Sequence, residues 1–169
     1  AGQLSVQAGV YLRENLKNIE QKYSTVCQEI RFADDYISLY RLVYGDTFEY
    51  HSQADPGLLD CVVPNMFLQP LVENCLVHGY EPGRPFSISV SVRNYGGRLK
   101  IEVADNGKGF DPQVAEKLQA ILGEPDLKKP SASGFGIYST IQRLELLYPQ
   151  NHEVKIANAP GGGSVLTFL

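Results

Sequence analysis

Cysteine, methionine and positive charge are all scarce in this sequence, and each scarcity removes a class of protein. The three cysteines, Cys27, Cys61 and Cys75, are odd in number and none forms a C-x-x-C pair. Neither a disulfide framework nor a cysteine-based zinc site is therefore encoded, and a reducing cytoplasm is the expected setting. The 15 Lys and Arg are outnumbered by 19 Asp and Glu, giving a net charge of -4, which leaves no basic surface for tracking nucleic-acid phosphates. No apolar run nears the ~20 residues that a membrane-spanning helix needs. Internal repeats and low-complexity tracts are also missing. Met66 is the single methionine and the chain opens Ala1-Gly2-Gln3, so the expectation is a piece of a longer protein. What is present, 169 residues of which 43% are hydrophobic, suffices for one domain with a real core and is short for two.

Residues 10–44 contain no Gly or Pro. Within them Leu12, Leu16, Ile19, Tyr23, Val26, Ile30, Ala33, Ile37, Tyr40 and Tyr44 follow at alternating steps of four and three, a heptad seam. Phe32, Tyr36, Leu39 and Val43 repeat those steps on a neighbouring face, so the helix has two surfaces to cover, one for the domain and one for a partner. Thr25 with Gln28 three residues later has the form of a capping box, which starts a fresh helix at Val26. One helix or two stays open at this point. A continuous helix over 10–44 spans ~50 Å at ~1.5 Å per residue, against a radius of gyration of about 15 Å for a compact chain of this size. Such a helix protrudes or pairs. The expected division is a helical segment over 1–45 and a globular domain over 46–169.

Gly45-Asp46 ends the helical stretch, and strands are expected at 47–53 and 58–63. A helix follows from about Gln69, with Pro70 tolerated in its first turn. Phe86, Ile88, Val90, Val92 and then Leu99, Ile101, Val103 alternate with polar residues, which predicts an antiparallel hairpin about Gly96-Gly97 with one face in the core. The polar stretch 111–133, with Pro112, Pro125 and Pro130 and a helical candidate at 114–122, reads as a lid or binding loop. A helix over 135–148 and strands at 153–157 and 165–169, separated by Pro160-Gly161-Gly162-Gly163, complete the chain.

Three segments carry candidate chemistry. Asn74, in Glu73-Asn74, sits in an otherwise apolar helix, where its side chain competes with the backbone for hydrogen bonds. Either the pair is solvated on the helix surface, or the Asn74 oxygen is a hard neutral donor that helps to hold Mg²⁺ already bound to phosphates. The second segment, Ala104-Asp105-Asn106-Gly107-Lys108-Gly109-Phe110, follows a strand. Asn-Gly favours a hairpin turn, but no returning strand follows Asp111-Pro112. A strand end that presents Asp105, while Gly107 and Gly109 let the backbone pass close to a ligand, fits better. A buried carboxylate there accepts a hydrogen bond from the exocyclic amine of adenine, about 1.5–3 kcal/mol for a charged acceptor. The third segment, Ser133-Gly134-Phe135-Gly136-Ile137, offers free amides and a helix start to phosphate, or is an ordinary loop-to-helix junction. No G-K-[ST] and no parallel βαβ pattern accompany it, so it is neither a Walker loop nor a Rossmann fingerprint.

The order of these segments resembles the GHKL superfamily of ATP-binding domains, whose N, G1 and G2 boxes are matched by Glu73-Asn74, Asp105-x-Gly107-x-Gly109 and Gly134-x-Gly136. More narrowly, the chain resembles sensor histidine kinases of the LytS type over roughly residues 10–169. Val63-Pro64, Leu68-Gln69-Pro70-Leu71-Val72-Glu73-Asn74, His78-Gly79, Asp35-Tyr36, Tyr44-Gly45-Asp46 and Arg143-Leu144-x-Leu146-Leu147-Tyr148 carry that resemblance. It implies an α/β two-layer sandwich, a mixed and mainly antiparallel sheet backed by helices, with ATP between the helices and under the lid. It also implies that Asn74 ligates Mg²⁺ and Asp105 reads adenine. Gly107, Gly109, Gly134 and Gly136, with Phe135 between the last two, would shape the pocket. Thr167 and Ser164 would complete the adenine-side hydrogen bonds, while Glu73 and His78 would stand as catalytic candidates near the phosphates.

By the same resemblance, the domain presents the γ-phosphate of MgATP to a histidine on a dimerisation helix of the same protein, and a response regulator then receives the phosphate. Such a protein is a homodimer and a membrane sensor when full length, with this domain in the cytoplasm and no nucleic-acid partner. The sequence departs from the family pattern at three points. The acceptor histidine is expected before residue 10, whereas the histidines are His51, His78 and His152; Val77 stands where the family usually has Lys, and Ser139 where Asn is common. A degenerate, non-enzymatic nucleotide-binding module is one alternative, and an anti-sigma-factor-type serine kinase, a family without the heptad stalk, is another. A gyrase-type or mismatch-repair hydrolase fits poorly, because its general-base Glu belongs four residues before the metal Asn, where Pro70 stands.

Overall fold

The computed structural model describes residues 21–81, 83–123, 135–149 and 151–169. In chain order they form β1 (Tyr23–Thr25), α1 (Val26–Tyr44), β2 (Glu49–Ala54), β3 (Val62–Pro64), α2 (Gln69–Asn74), β4 (Ser87–Tyr95), β5 (Arg98–Asp105), α3 (Pro112–Gly123), α4 (Phe135–Leu147), β6 (Val154–Asn158) and β7 (Ser164–Phe168). A widened π-helical turn, Cys75–Gly79, extends α2. Five strands make one sheet in the order β2-β4-β5-β7-β6, parallel between β2 and β4 and antiparallel elsewhere. β1 pairs separately with β3.

Strand alternation decides the layers. Ile88, Val90 and Val92 of β4, Ile101 and Val103 of β5, and Leu166 and Phe168 of β7 share the buried face. Lys100, Glu102, Thr167 and Lys155 share the other. Helices cover the apolar face: Ala33 and Ile37 of α1, Leu71 and Val72 of α2, and Ile137, Ile141 and Leu144 of α4 all enter one core with the strands. Phe67, just ahead of α2, meets Phe168 edge to face at 4.9 Å between ring centres. This is the two-layer sandwich expected from sequence. The β4–β5 turn is also as expected, with Gly96 and Gly97 at φ 60 and 84, the left-handed pair that a tight hairpin turn requires.

The heptad seam does not form one rod. Tyr23–Thr25 is extended and paired with Val62–Pro64, and Thr25 caps α1 through both arms of the capping box: Gln28 N–H to Thr25 Oγ1 at 3.2 Å and Thr25 N–H to Gln28 Oε1 at 2.9 Å. The part of the seam before residue 21 lies outside the described residues. α1 does not protrude, because Val26, Ala33 and Ile37 are buried in the shared core, which therefore extends across the 45/46 division drawn from sequence. The second stripe is covered only in part: Phe32, Tyr36 and Leu39 are half-buried and Val43 is exposed.

Candidate functional site

The parity that buries Ile101 and Val103 also buries Asp105 at the end of β5. A carboxylate in that position has to be hydrogen-bonded. Its Oδ1 accepts the Gly107 N–H at 2.8 Å, its Oδ2 accepts the hydroxyl of Ser164 at the start of β7, and the buried thiol of Cys75 is also bonded to it. Three donors use three of the roughly four lone-pair positions of a carboxylate. Among the described residues, these donors leave one acceptor position.

Glycines let the segments around this carboxylate approach closely. A Cβ on Gly79, at the end of the widened turn, would lie 2.9 Å from Asp105 Oδ1 and 3.0 Å from the Phe86 ring. One on Gly107 would lie 2.2 Å from the Gly79 carbonyl oxygen, so the two backbones touch where side chains would stand. Gly109 takes φ 77 beside Asn158, whose amide oxygen accepts the Phe110 N–H at 2.7 Å and whose nitrogen donates to the Phe110 carbonyl at 3.2 Å. The Asp105-x-Gly107-x-Gly109 segment is thus held from the β6–β7 side.

The other site residues fall as follows. Asn74 is half-buried on α2, one position before Cys75, the residue that touches Asp105. Glu73 and His78 are exposed on the same helical segment, and Val77 between them is 62% exposed. Gly136 rests on Pro70 at ordinary contact distance, 3.5 Å from an added Cβ, so α4 begins against the start of α2. Phe135 opens α4, and Gly134 lies outside the described residues. Ser139 donates its hydroxyl to the Gly136 carbonyl at 2.9 Å.

Thr167 stands apart from this group. It projects from the other face of β7, where its hydroxyl donates to Glu102 Oε2 at 3.5 Å. Ser164, whose parity matches that of buried Leu166 and Phe168, is the residue of β7 that reaches Asp105. Sequence reasoning did not single out Cys75 or Gly79 as neighbours of Asp105. The available signal was size: Cys75 is a small residue inside the Asn74–His78 stretch and Gly79 directly follows it.

Burial, with the Asp105 charge and hydrogen bond beside it, holds the Cys75 thiol well above its ordinary range. Because the thiolate is the reactive form, iodoacetamide at pH 8 is expected to label the half-buried Cys27 and Cys61 in the native chain and to spare Cys75 until denaturant is added. Peptide mass spectrometry of labelled chain checks this.

Among the described residues there is no group of three or more His, Cys, Asp and Glu that would cage a metal ion. No helix among the described residues is long and apolar enough to cross a membrane.

The sequence profile described as "Histidine kinase-, DNA gyrase B-, and HSP90-like ATPase" matches residues 65–169. The chain belongs to this family, within which it matches the ATP-binding catalytic domains of sensor histidine kinases. It is similar to sensor histidine kinase YpdA of Escherichia coli K12, 29% identical over 92% of the chain. Sensor protein LytS of Oceanobacillus iheyensis is 30% identical over 100% of it. The chain spans 26% and 29% of the lengths of these two relatives. Its fold is that of the catalytic domain of histidine kinase ThkA (TM-score 0.60, 14% identity, 88% of this chain and 96% of that one). Mycobacterial sensor histidine kinase MprB shares it too (TM-score 0.56, 16% identity, 86% of this chain and 93% of that one).

Proposed function

We propose that this chain binds MgATP between Asp105 and Asn74 and presents the γ-phosphate to a histidine on a dimerisation helix of the same protein, from which a response regulator receives it. The observation that carries this reading is the buried Asp105 carboxylate, held by Gly107, Ser164 and Cys75 and approached so closely by Gly79 that no side chain fits there. That carboxylate suits the exocyclic amine of adenine. Gly107, Gly109, Phe135 and Gly136 line the path from adenine to phosphate in this reading, and Ser164 orients the Asp105 carboxylate. Asn74 would hold Mg²⁺, which when bound neutralises phosphate charge. Glu73 and His78, exposed on the helix that carries Asn74, are the candidates for the phosphate side. Catalysis of this kind is mainly positioning and charge neutralisation. The full-length protein is proposed to be a homodimeric membrane sensor with this domain in the cytoplasm.

The test supplies what the chain does not carry. A separate peptide or domain bearing an acceptor histidine is incubated with the chain and γ-labelled ATP, with and without Mg²⁺. Label on the histidine, dependent on Mg²⁺, is the expected result. Persistent absence of transfer with intact nucleotide binding would mean a binding module, and label on serine would mean a serine kinase of the same superfamily.

A further inference from the structure

Glu29 lies on the buried side of α1, 2% exposed, and its carboxylate is fully occupied. Oε1 accepts the Ser24 hydroxyl at 2.5 Å and the Met66 N–H at 2.8 Å, and Oε2 accepts the Phe67 and Leu68 N–H groups at 2.7 and 2.9 Å. Burial raises the Glu29 carboxyl above the usual carboxylate range, while these four donors pull the other way by stabilising the anion. Three of them are consecutive backbone amides. Such a concave run of N–H groups is an anion nest, and here the anion is a side chain of another helix. Met66 shows what the arrangement imposes: at φ 54 it is the non-glycine residue with a left-handed backbone among those described, a conformation that costs about 1–2 kcal/mol.

These amides lead straight into α2. Leu68, the residue at its N-cap, supplies no side-chain acceptor, so amides that a helix start usually satisfies locally are satisfied by Glu29. Asn74 follows less than two helical turns later. Asp105 takes hydrogen bonds from Gly107, just past β5, and from Ser164, at the start of β7, and a third from Cys75, the residue after Asn74. The two sides of the site thus meet at Cys75, while the start of α2 has an anchor of its own in Glu29.

We propose that Glu29 is a positioning residue for the metal and phosphate side of the site: its carboxylate fixes where α2 begins, and so where Asn74 stands relative to Asp105. This rests on the nucleotide reading above. It predicts that loss of Glu29 separates two quantities that a merely structural residue would move together, the affinity for ATP alone and the further gain in affinity that Mg²⁺ gives.

The experiment measures ATP binding by calorimetry in EDTA and in Mg²⁺ for the native chain and for Glu29→Gln, Glu29→Asp, Ser24→Ala and Thr25→Ala. Glu29→Gln keeps the shape but turns an N–H₂ toward backbone donors, and is expected to reduce the Mg²⁺-dependent gain about tenfold while metal-free ATP binding stays within about twofold. Ser24→Ala removes one donor of four, and Glu29→Asp shortens the reach; each is expected to reduce the gain about two- to threefold. Thr25→Ala weakens the cap of the same helix without touching the carboxylate and should leave the gain unchanged. If Glu29→Gln does not fold, Ser24→Ala and Glu29→Asp decide by the same ratio. Equal loss of both affinities or an unchanged gain overturns this proposal alone, whereas a native chain that binds ATP with no Mg²⁺ gain overturns the Asn74–Mg²⁺ part of the reading above and this proposal with it. A native chain that binds no ATP overturns the nucleotide reading and this proposal with it.

Discussion

Asp105→Asn is expected to weaken ATP binding about 100-fold, roughly 2.7 kcal/mol, while leaving the domain folded. The amide oxygen can keep the Gly107 N–H, which is held at 2.8 Å, so the amide nitrogen takes the place of Oδ2. Ser164, whose hydroxyl donates to that oxygen in the native chain, can rotate and accept instead, because a hydroxyl works in both senses. Adenine has no such freedom: its exocyclic amine would meet a donor where the native site offers an acceptor. The same logic predicts an inversion with inosine triphosphate, whose carbonyl replaces that amine. The native chain should reject it and the variant should bind it at least as well as ATP. Calorimetry with the two nucleotides and a thermal melt check the three parts separately. Unchanged ATP affinity in a folded variant would remove Asp105 from the pocket.

The ease with which this carboxylate was found in the sequence, and the difficulty with its partners, have a common cause. Asp105 ends a run in which Leu99, Ile101 and Val103 alternate with polar residues, so its face is fixed by period two. Thr25 and Gln28 announced the start of α1 because a capping box is a local device. In β7, by contrast, Val165, Leu166, Phe168 and Leu169 put apolar side chains on both parities. Nothing in that pattern says that Ser164 points inward and Thr167 outward, and only the pairing of Glu102 with Thr167 and of Val103 with Leu166 resolves it. β1, three residues long, is too short to interrupt a heptad pattern, and its existence depends on pairing with β3 some 40 positions away. Glu29 was hidden for a similar reason. A single acidic residue in an apolar seam reads as a surface intrusion until the amides of Met66, Phe67 and Leu68 are seen converging on it. Local rules reveal elements and caps, whereas buried polar partners are set by packing between distant segments.

The glycine triplet before β7 provides the second large effect, because its three members differ in backbone angle and in what surrounds them. At Gly163 the backbone has φ 91, and an added Cβ would lie 1.9 Å from the Asp105 carbonyl oxygen and 2.7 Å from the Asn106 Cα. Neither atom is the end of a flexible side chain, so the chain must move, and Gly163→Ala is expected to cost more than about 4 kcal/mol. For a domain of this size that lowers the melting temperature by more than about 10 °C. Gly162 has φ 98 but its nearest neighbour is the Gly107 carbonyl oxygen at 3.4 Å; Gly162→Ala should cost about 1–2 kcal/mol, the backbone penalty alone. Gly161 has neither a left-handed backbone nor any atom within 4 Å of an added Cβ, and Gly161→Ala should fall within about 0.5 kcal/mol of the native chain. Thermal melts of the three variants measure the series. Equal losses would mean that the loop does not press on Asp105. The expected gradient would mean that it does, and then Gly163→Ala should also lose ATP binding at temperatures where it is still folded, because the displaced strand carries Ser164 away from the carboxylate.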